Sequence, residues 1–455
     1  MKKSKFDYDV IVIGSGAAGI TSAEIIAKSG KSVAIIEQNR LGGSAPYISD
    51  IPTQALTTAA HSLDSARQAA EFGLRTQTVG YSYPLIEKWK NLATRRSGAK
   101  FTSDYFNKNG VAVFRGRAHF ISKNEISIGR RHLTAEKFVI ATGAKPLIPN
   151  IAGLNEVDYL TMETAMNLLK PPKSLFVIGA GETGCQLAEM FAIFGTKVYL
   201  ADAKSRILPR EDEQVSELFE EVFLKARGME VFSSSRVIGI RKHGAMSIVT
   251  YLQNGVERFI GVDKVLLATG YAPNTDLGLG NAGVEFDGNG IKVNEFLQTS
   301  VKNIWAAGDV LGRFGNVQGA VYEGEIVVAN IFGRNKIVPD YRAMSHVIWL
   351  SPEVASVGAS EIELTRANIK FKTSVVQNSA IERAKTSNFA VGFTKIMTDK
   401  DGRILGAIVV APHAAEIIGE LALAIQYGMT AQQIASTIMP FGSWSEVVRL
   451  ACAQV

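Results

Sequence analysis

The stretch Asp9-Val-Ile-Val-Ile-Gly14-Ser-Gly16-Ala-Ala-Gly19 decides the fold. Its apolar residues, Val10 to Ile13, stop at glycine and read as a buried strand entering a tight turn. From Ala17 to Ser29 apolar and polar positions alternate at helical spacing, and Gly30 supplies the stop. Ser32 to Ile36 reads as a second strand that ends at Glu37. The order is strand, G-x-G-x-x-G turn, helix, strand, acid. Gly14 permits the turn, Gly16 lets the backbone approach a pyrophosphate, and Gly19 lets helix and strand pack closely. The helix N-terminus attracts the anion, and Glu37 can accept hydrogen bonds from ribose hydroxyls. A lone glycine fingerprint is weak evidence. Here every element of a dinucleotide-binding βαβ unit is present in order.

The unit occurs twice. Leu175 to Ile178 is a strand, followed by Gly179-Ala-Gly181-Glu-Thr-Gly184, a helix through Phe194, and a strand from Lys197 to Ala201 that ends at Asp202. Gly19 to Glu37 and Gly184 to Asp202 span the same eighteen-residue interval. Two dinucleotide sites imply two cofactors. Phe138 to Gly143 and Val265 to Gly270 echo each other, each apolar and ending Ala-Thr-Gly, and each closes one nucleotide unit. Ile304-Trp-Ala-Ala-Gly308-Asp309 is a further strand ending in glycine and a carboxylate, a second place to hold a polyhydroxy cofactor. Beyond about Asp340 there is no phosphate loop. Strand-like runs Ala390 to Met397 and Ile404 to Val410 accompany helices Ala414 to Tyr427 and Ala431 to Met439, as in a packing or dimerisation domain.

Composition sets the outer limits. At ~150 residues per domain, 455 residues suggest about three domains. The 46% hydrophobic and 20% charged content is that of a globular chain. Two cysteines exclude a disulfide-stapled scaffold and any Cys-rich metal module, and six histidines leave little room for a His-based metal site. His346 and His413 have no partners at metal-ligand spacing, so no metal site is expected. No apolar run approaches the ~18 residues of a spanning helix. The basic start, Lys2, Lys3 and Lys5, precedes a strand rather than a signal peptide, and a cytoplasmic location is expected. The net charge of +6 is a solubility term rather than a nucleic-acid signal. Its densest run, Lys88, Lys90, Arg95, Arg96 and Lys100, reads as a solvated helix face.

With these motifs in order, the chain resembles the FAD-dependent pyridine nucleotide–disulfide oxidoreductases, in particular dihydrolipoamide dehydrogenase and mercuric reductase-like proteins. The likeness covers nearly the whole chain. It is carried by GSGAAG with Glu37, Leu41-Gly42-Gly43, ATGAKP from Ala141, GAGETG, ATGYAPNT from Ala268, AAGD ending at Asp309, and SPEVASVG from Ser351. It implies an α/β fold of two Rossmann-like dinucleotide-binding domains plus a C-terminal α+β dimerisation domain. The implied boundaries are 1–150 with 271–338 for FAD, 151–270 for NAD(P), and 339–455 for a homodimer interface. FAD would be held by Gly14, Gly16, Gly19, Glu37, Gly43, Thr142, Gly143, Gly308 and Asp309. NADH or NADPH would be held by Gly179, Gly181, Gly184, Asp202 and Gly270. Asp202 favours NADH, because a carboxylate repels a 2′-phosphate, although Lys204 and Arg206 follow closely.

The departures from the family carry the functional reading. Its redox-active C-x-x-x-x-C is replaced, with Ala45 and Asp50 at the two cysteine positions. Gln54 stands where the family has a lysine beside the flavin, and Gln186 where that lysine has its glutamate. Losing one member of such an ion pair strands a buried charge at a cost of ~3–5 kcal/mol. Losing both leaves two amides that can hydrogen-bond to each other. Near the C-terminus the family's His-x-x-x-x-Glu reads Phe441 to Glu446, so the glutamate remains without its base. Tyr271 occupies a position where relatives often place an arginine. Cys185 reads as a small buried hydrophobe and Cys452 as incidental.

Thiol–disulfide exchange needs a thiolate, and none is placed to serve. The leading expectation is an NAD(P)H-dependent FAD enzyme that passes electrons to a non-thiol small-molecule acceptor such as a quinone, another electron acceptor or oxygen. Asp50, Gln54, Gln186 and Glu446 are its candidate catalytic residues. Asp50 either lowers the flavin's potential by its charge or, if desolvated, donates a proton. The alternatives are a soluble pyridine nucleotide transhydrogenase, or a non-catalytic flavoprotein acting as redox sensor or docking subunit. No nucleic-acid partner and no membrane span are expected.

Overall fold

A computed structural model describes residues 5–75 and 79–455; Lys2 and Lys3 of the basic start lie outside the described residues. The first unit opens with strand β1 (Tyr8–Ile13), helix α1 (Ala17–Lys28) and strand β2 (Val33–Glu37). Helices α2 (Asp50–Gln68) and α3 (Tyr83–Gly98) follow, then β3 (Val111–Arg115), β4 (Ala118–Ser122), β5 (Glu125–Ile128) and β6 (Arg131–Ile140). The strand order is β3-β2-β1-β6-β5-β4. β1, β2 and β3 are parallel, as is the pairing of β1 with the second half of β6, whereas the first half of β6 turns antiparallel with β5. Val10 to Ile13 are buried without alternation, as a parallel strand covered on both faces requires.

The second unit repeats the plan. Strand β7 (Ser174–Ile178), helix α4 (Glu182–Ile193), β8 (Lys197–Ala201), β9 (Glu230–Phe232) and β13 (Lys264–Leu267) enclose an antiparallel meander. The meander is β10 (Ser235–His243), β11 (Met246–Gln253) and β12 (Val256–Val262). Strands order as β9-β8-β7-β13, all parallel. The chain then returns to the first sheet. β14 (Ile304–Ala306) lies parallel to β6, and helix α5 (Val317–Phe332) packs on α1. Both Ala-Thr-Gly runs sit where expected, at the ends of β6 and β13. They are stitched together by a short antiparallel pairing of Ala144–Pro146 with Tyr271–Pro273.

The C-terminal unit is a five-stranded antiparallel sheet. Its strands are β15 (His346–Ile348), β16 (Glu353–Gly358), β17 (Lys372–Gln377), β18 (Phe393–Thr398) and β19 (Ile404–Ala411), in the order β15-β16-β19-β18-β17. Helix α6 (Ala414–Gln426) covers it, and α7 (Glu446–Ala453) closes the chain. The expected helix Ala431 to Met439 stops at Ala435: Thr437 and Ile438 are β-branched and Pro440 ends the run. The expected solvated basic face is corrected at Lys90. That residue is buried on α3, and its ammonium donates to the Met166 carbonyl at 2.6 Å. Buried ion pairs fasten the units. Lys395 Nζ meets Asp212 at 2.8 Å and Glu361 at 3.0 Å. Glu189 on α4 meets Arg227 at 3.0 Å and His61 at 3.3 Å, and accepts the Ser351 N–H at 3.1 Å. Among the described residues no helix is long and apolar enough to cross a membrane.

The glycine turns make the tightest contacts. A Cβ on Gly19 would lie 2.0 Å from the Gly14 carbonyl oxygen, and one on Gly184 would lie 1.9 Å from that of Gly179. A Cβ on Gly16, by contrast, would meet nothing within 4 Å. Gly19→Ala is therefore expected to cost at least ~1–3 kcal/mol of unfolding free energy through overpacking. Gly16→Ala should leave the stability of the flavin-free protein almost unchanged. Urea denaturation of both variants checks the contrast.

Candidate functional site

The first site assembles at the C-terminal ends of β1, β2, β6 and β14. Gly16 caps α1 with extended backbone, no side chain caps the first N–H groups of the helix, and a Cβ on Gly16 would meet nothing within 4 Å. Gly43 packs its backbone on Gly16, where a Cβ would come within 2.6 Å of the Gly16 Cα. Glu37 is buried at the end of β2. Its carboxylate accepts the Ser15 N–H at 2.9 Å, the Ser15 hydroxyl at 2.6 Å and the Asn39 N–H at 2.7 Å. Those donors hold the carboxylate against the glycine turn and leave acceptor capacity for hydroxyls. The Thr142 hydroxyl donates to the Asn274 carbonyl at 2.8 Å, and the Asn274 N–H donates to the Gly143 carbonyl at 2.9 Å. Thr142 and Gly143 thus shape the crossover between the units.

Asp309 follows Gly308, just after β14. Burial raises its carboxyl above the ordinary carboxylate range, and the nearby Asp50 charge adds to the rise. Asp50 begins α2, where a carboxylate favours the helix dipole, and accepts the Ser49 hydroxyl at 2.6 Å. Tyr271 completes this group. Its hydroxyl, 3.2 Å from the Met162 sulfur, is pushed up to about 12 by burial and then by Asp50 and Asp309. The fold thus brings Asp50, Asp309 and Tyr271 together from three distant stretches of sequence. Glu323, buried on α5, supports them from behind. It accepts the Gly308 N–H at 2.7 Å and the Tyr341 hydroxyl at 2.8 Å. Glu325 and Asn330 lie on the same helix, so no sequence pattern singles Glu323 out.

The second site repeats the geometry. Gly181 caps α4 without a side-chain bond and faces open space. The Asp202 carboxylate accepts the Ala180 N–H at 2.7 Å and the Lys204 N–H at 2.8 Å. Gly270, with φ +100, turns the chain from β13 into Tyr271. Arg206 is committed to Ser216 at 3.1 Å.

Two expectations are corrected. Gln54 and Gln186 lie on α2 and α4, which pack together, but the Gln186 amide donates to the Thr57 hydroxyl at 3.5 Å rather than to Gln54. One helical turn separates Gln54 from the residue that meets Gln186. His346, expected to stand apart from ligands, lies beside Glu182 and Glu211. Elsewhere, Glu446 starts α7, 4.0 Å from Arg449, with Oε2 buried and without a hydrogen-bond partner. Phe441 stands 84% exposed before it. Cys185 and Cys452 are both buried.

Open helix N-termini, backbone turns with no room for side chains, and acids placed for ribose hydroxyls fit two dinucleotides. Comparison with known proteins defines the class. The pyridine nucleotide-disulphide oxidoreductase family profile matches residues 8–324, and the dimerisation domain of that family matches 344–452. The chain belongs to this family, whose members are FAD-dependent and use NAD(P)H. Among individual relatives, it is 33% identical over 449 residues to a mercuric reductase of Staphylococcus aureus, covering 98% of this chain and 82% of that one. It is 33% identical over 450 residues to a dihydrolipoyl dehydrogenase of Geobacillus stearothermophilus, covering 97% and 94%. The HOCl-induced flavoprotein disulfide reductase RclA of Escherichia coli superposes with TM-score 0.88 at 26% identity, covering 98% of this chain and all of that one.

Asp309 carries a pH signature. Its folded-state carboxyl holds a proton more tightly than in the unfolded chain, so its cost is absent below pH ~4 and grows as pH rises through the folded value. Asp309→Asn should stabilise the flavin-free protein at pH 7, with the gain vanishing near pH ~4. Thermal melts across that range check the sign.

Proposed function

We propose that the chain is an FAD-dependent NAD(P)H oxidoreductase that passes electrons to a non-thiol acceptor. The observation that carries this reading is the place of its two cysteines. Burial pushes the Cys185 thiol far up and the Cys452 thiol up to about 12, so neither supplies a thiolate at neutral pH. Ala45 and Asp50 stand where the family has its redox pair. When bound, FAD supplies the hydride acceptor for the nicotinamide and the electron donor for the second substrate. The protein's part is to hold both ligands and to manage charge and protons beside them. On this reading the open N-termini of α1 and α4 bind the two pyrophosphates, and Glu37 and Asp202 orient the riboses. Asp202 as the ribose acceptor, with Arg206 directed to Ser216, supports NADH over NADPH.

Asp50 is the group best placed to act on the acceptor side. It shares its surroundings with the Asp309 carboxyl and the protonated Tyr271 hydroxyl. The Asp309 carboxyl, held above its ordinary range by burial and the Asp50 charge, favours keeping a proton that can be passed to an acceptor as it is reduced. Gln54, half-buried one turn further along α2, keeps this region free of positive charge. Glu446 serves in the paired chain of a homodimer on this reading, and Phe441 beside it presents an apolar rather than a basic group.

Anaerobic mixing of the flavin-loaded protein with NADH should bleach the flavin band, and quinones or dyes should restore it without any added dithiol. Failure of both nicotinamides to bleach it would exclude the reading. Asp50→Asn should cut acceptor turnover by ~100-fold or more while leaving bleaching by NADH unchanged. Stopped-flow absorbance separates the two half-reactions.

A further inference from the structure

We propose that Glu182, Glu211 and His346 form a binding site for one divalent metal ion of the zinc class. The site lies between the second nucleotide unit and the C-terminal sheet. Its residues come from three elements. Glu182 is the first residue of α4, Glu211 lies in the loop after β8, and His346 opens β15. The His346 Nε2 is 3.3 Å from Glu182 Oε2 and 3.8 Å from Glu211 Oε1, and the three donor atoms lie within 4.8 Å of one another. Two ligands held ~2.0–2.1 Å from a tetrahedral zinc are ~3.3 Å apart. The first separation already meets that value, and the second needs only a small closure.

A second observation points to a missing ligand. The Glu211 side chain is only 9% exposed, and its one ion-pair contact among the described residues, with His346 Nε2, is 3.8 Å long. His346 Nε2 is likewise buried, with no hydrogen-bond partner. An imidazole nitrogen buried between two carboxylates, with no well-formed hydrogen bond, is satisfied either by carrying a proton or by a cation shared with the acids. The surrounding charges are mixed. Arg210 acts on Glu182 and His346, while Arg206 and Asp212 act on Glu211. Burial holds the Glu211 carboxyl above its ordinary range, with His346 opposing the rise and Glu182 adding to it. One imidazole nitrogen with two carboxylate oxygens suits zinc, manganese or ferrous iron, whereas magnesium prefers an all-oxygen shell and cuprous copper a thiolate. The proposal does not depend on the identity of the electron acceptor. The competing reading is a protonated His346 bridging two glutamates with no metal.

Tag-free, flavin-loaded protein is stripped with EDTA, dialysed and titrated with zinc chloride by isothermal calorimetry. About one equivalent per chain is expected, with a melting temperature that rises and saturates at the same ratio. Glu211→Gln and His346→Gln should each weaken zinc binding at least ~10-fold, with flavin absorbance and circular dichroism unchanged. His132→Gln, at an exposed His132–Glu125 pair, should leave zinc binding unchanged. Absence of saturable binding by the unmodified protein would overturn the proposal in favour of the protonated pair. Binding that survives both buried substitutions, or that is lost with His132→Gln, would overturn it as surface chelation.

Discussion

The structure depends on a close approach of backbone to backbone at the two glycine turns. Gly14, Gly19 and Ala141 meet with no room for a Cβ, and Gly179, Gly184 and Ala268 repeat the contact. This approach seats α1 against β1 and α4 against β7, and it aims each helix N-terminus at open space. Had a side chain intervened, each helix would stand off its sheet and the N–H groups would miss a shared anion. The acids at the ends of β2 and β8 are consequences of the same turns. Glu37 and Asp202 are held by backbone N–H groups that the turns present.

From these two anchors the rest of the site is assembled by long returns of the chain. β14 comes back beside β6 and delivers Asp309, while the pairing of Ala144–Pro146 with Tyr271–Pro273 delivers Tyr271. Asp50 arrives at the start of α2. Two acids and a phenol in one partly dry region are electrostatically unfavourable. Such a grouping fits a site where protons are held and moved rather than one chosen for stability. The third unit is tied on by the buried pair of Lys395 with Asp212 and by the Glu189 carboxylate that accepts the Ser351 N–H.

Much of this was legible in the chain itself. The two βαβ units are local patterns with fixed periods and fold within a residue or two of the expected bounds, whereas the closing strand before Ala141 begins already at Arg131 and both closing strands end before their Ala-Thr-Gly. Errors arose where tertiary contacts decide. Lys90 reads as solvent-facing by composition, yet it is buried because the Met166 carbonyl lies within its reach. Gln186 reads as a partner for Gln54, yet the relative rotation of α2 and α4 offers it Thr57. After Thr430 apolar spacing predicts a helix to Met439, yet the helix ends at Ala435, before the β-branched Thr437 and Ile438 and before Pro440.

By itself the sequence determined the two dinucleotide units, the acids that end them and the alanine and aspartate at positions 45 and 50. These follow from local backbone geometry and from the identity of residues at positions set by motifs. Only the tertiary structure decided that Asp50, Asp309 and Tyr271 share one environment, and that Glu182, Glu211 and His346 converge. Those groupings join residues tens to hundreds of positions apart. Sequence spacing reports neighbours along a helix or strand, whereas contact between elements is set by how sheets and helices pack.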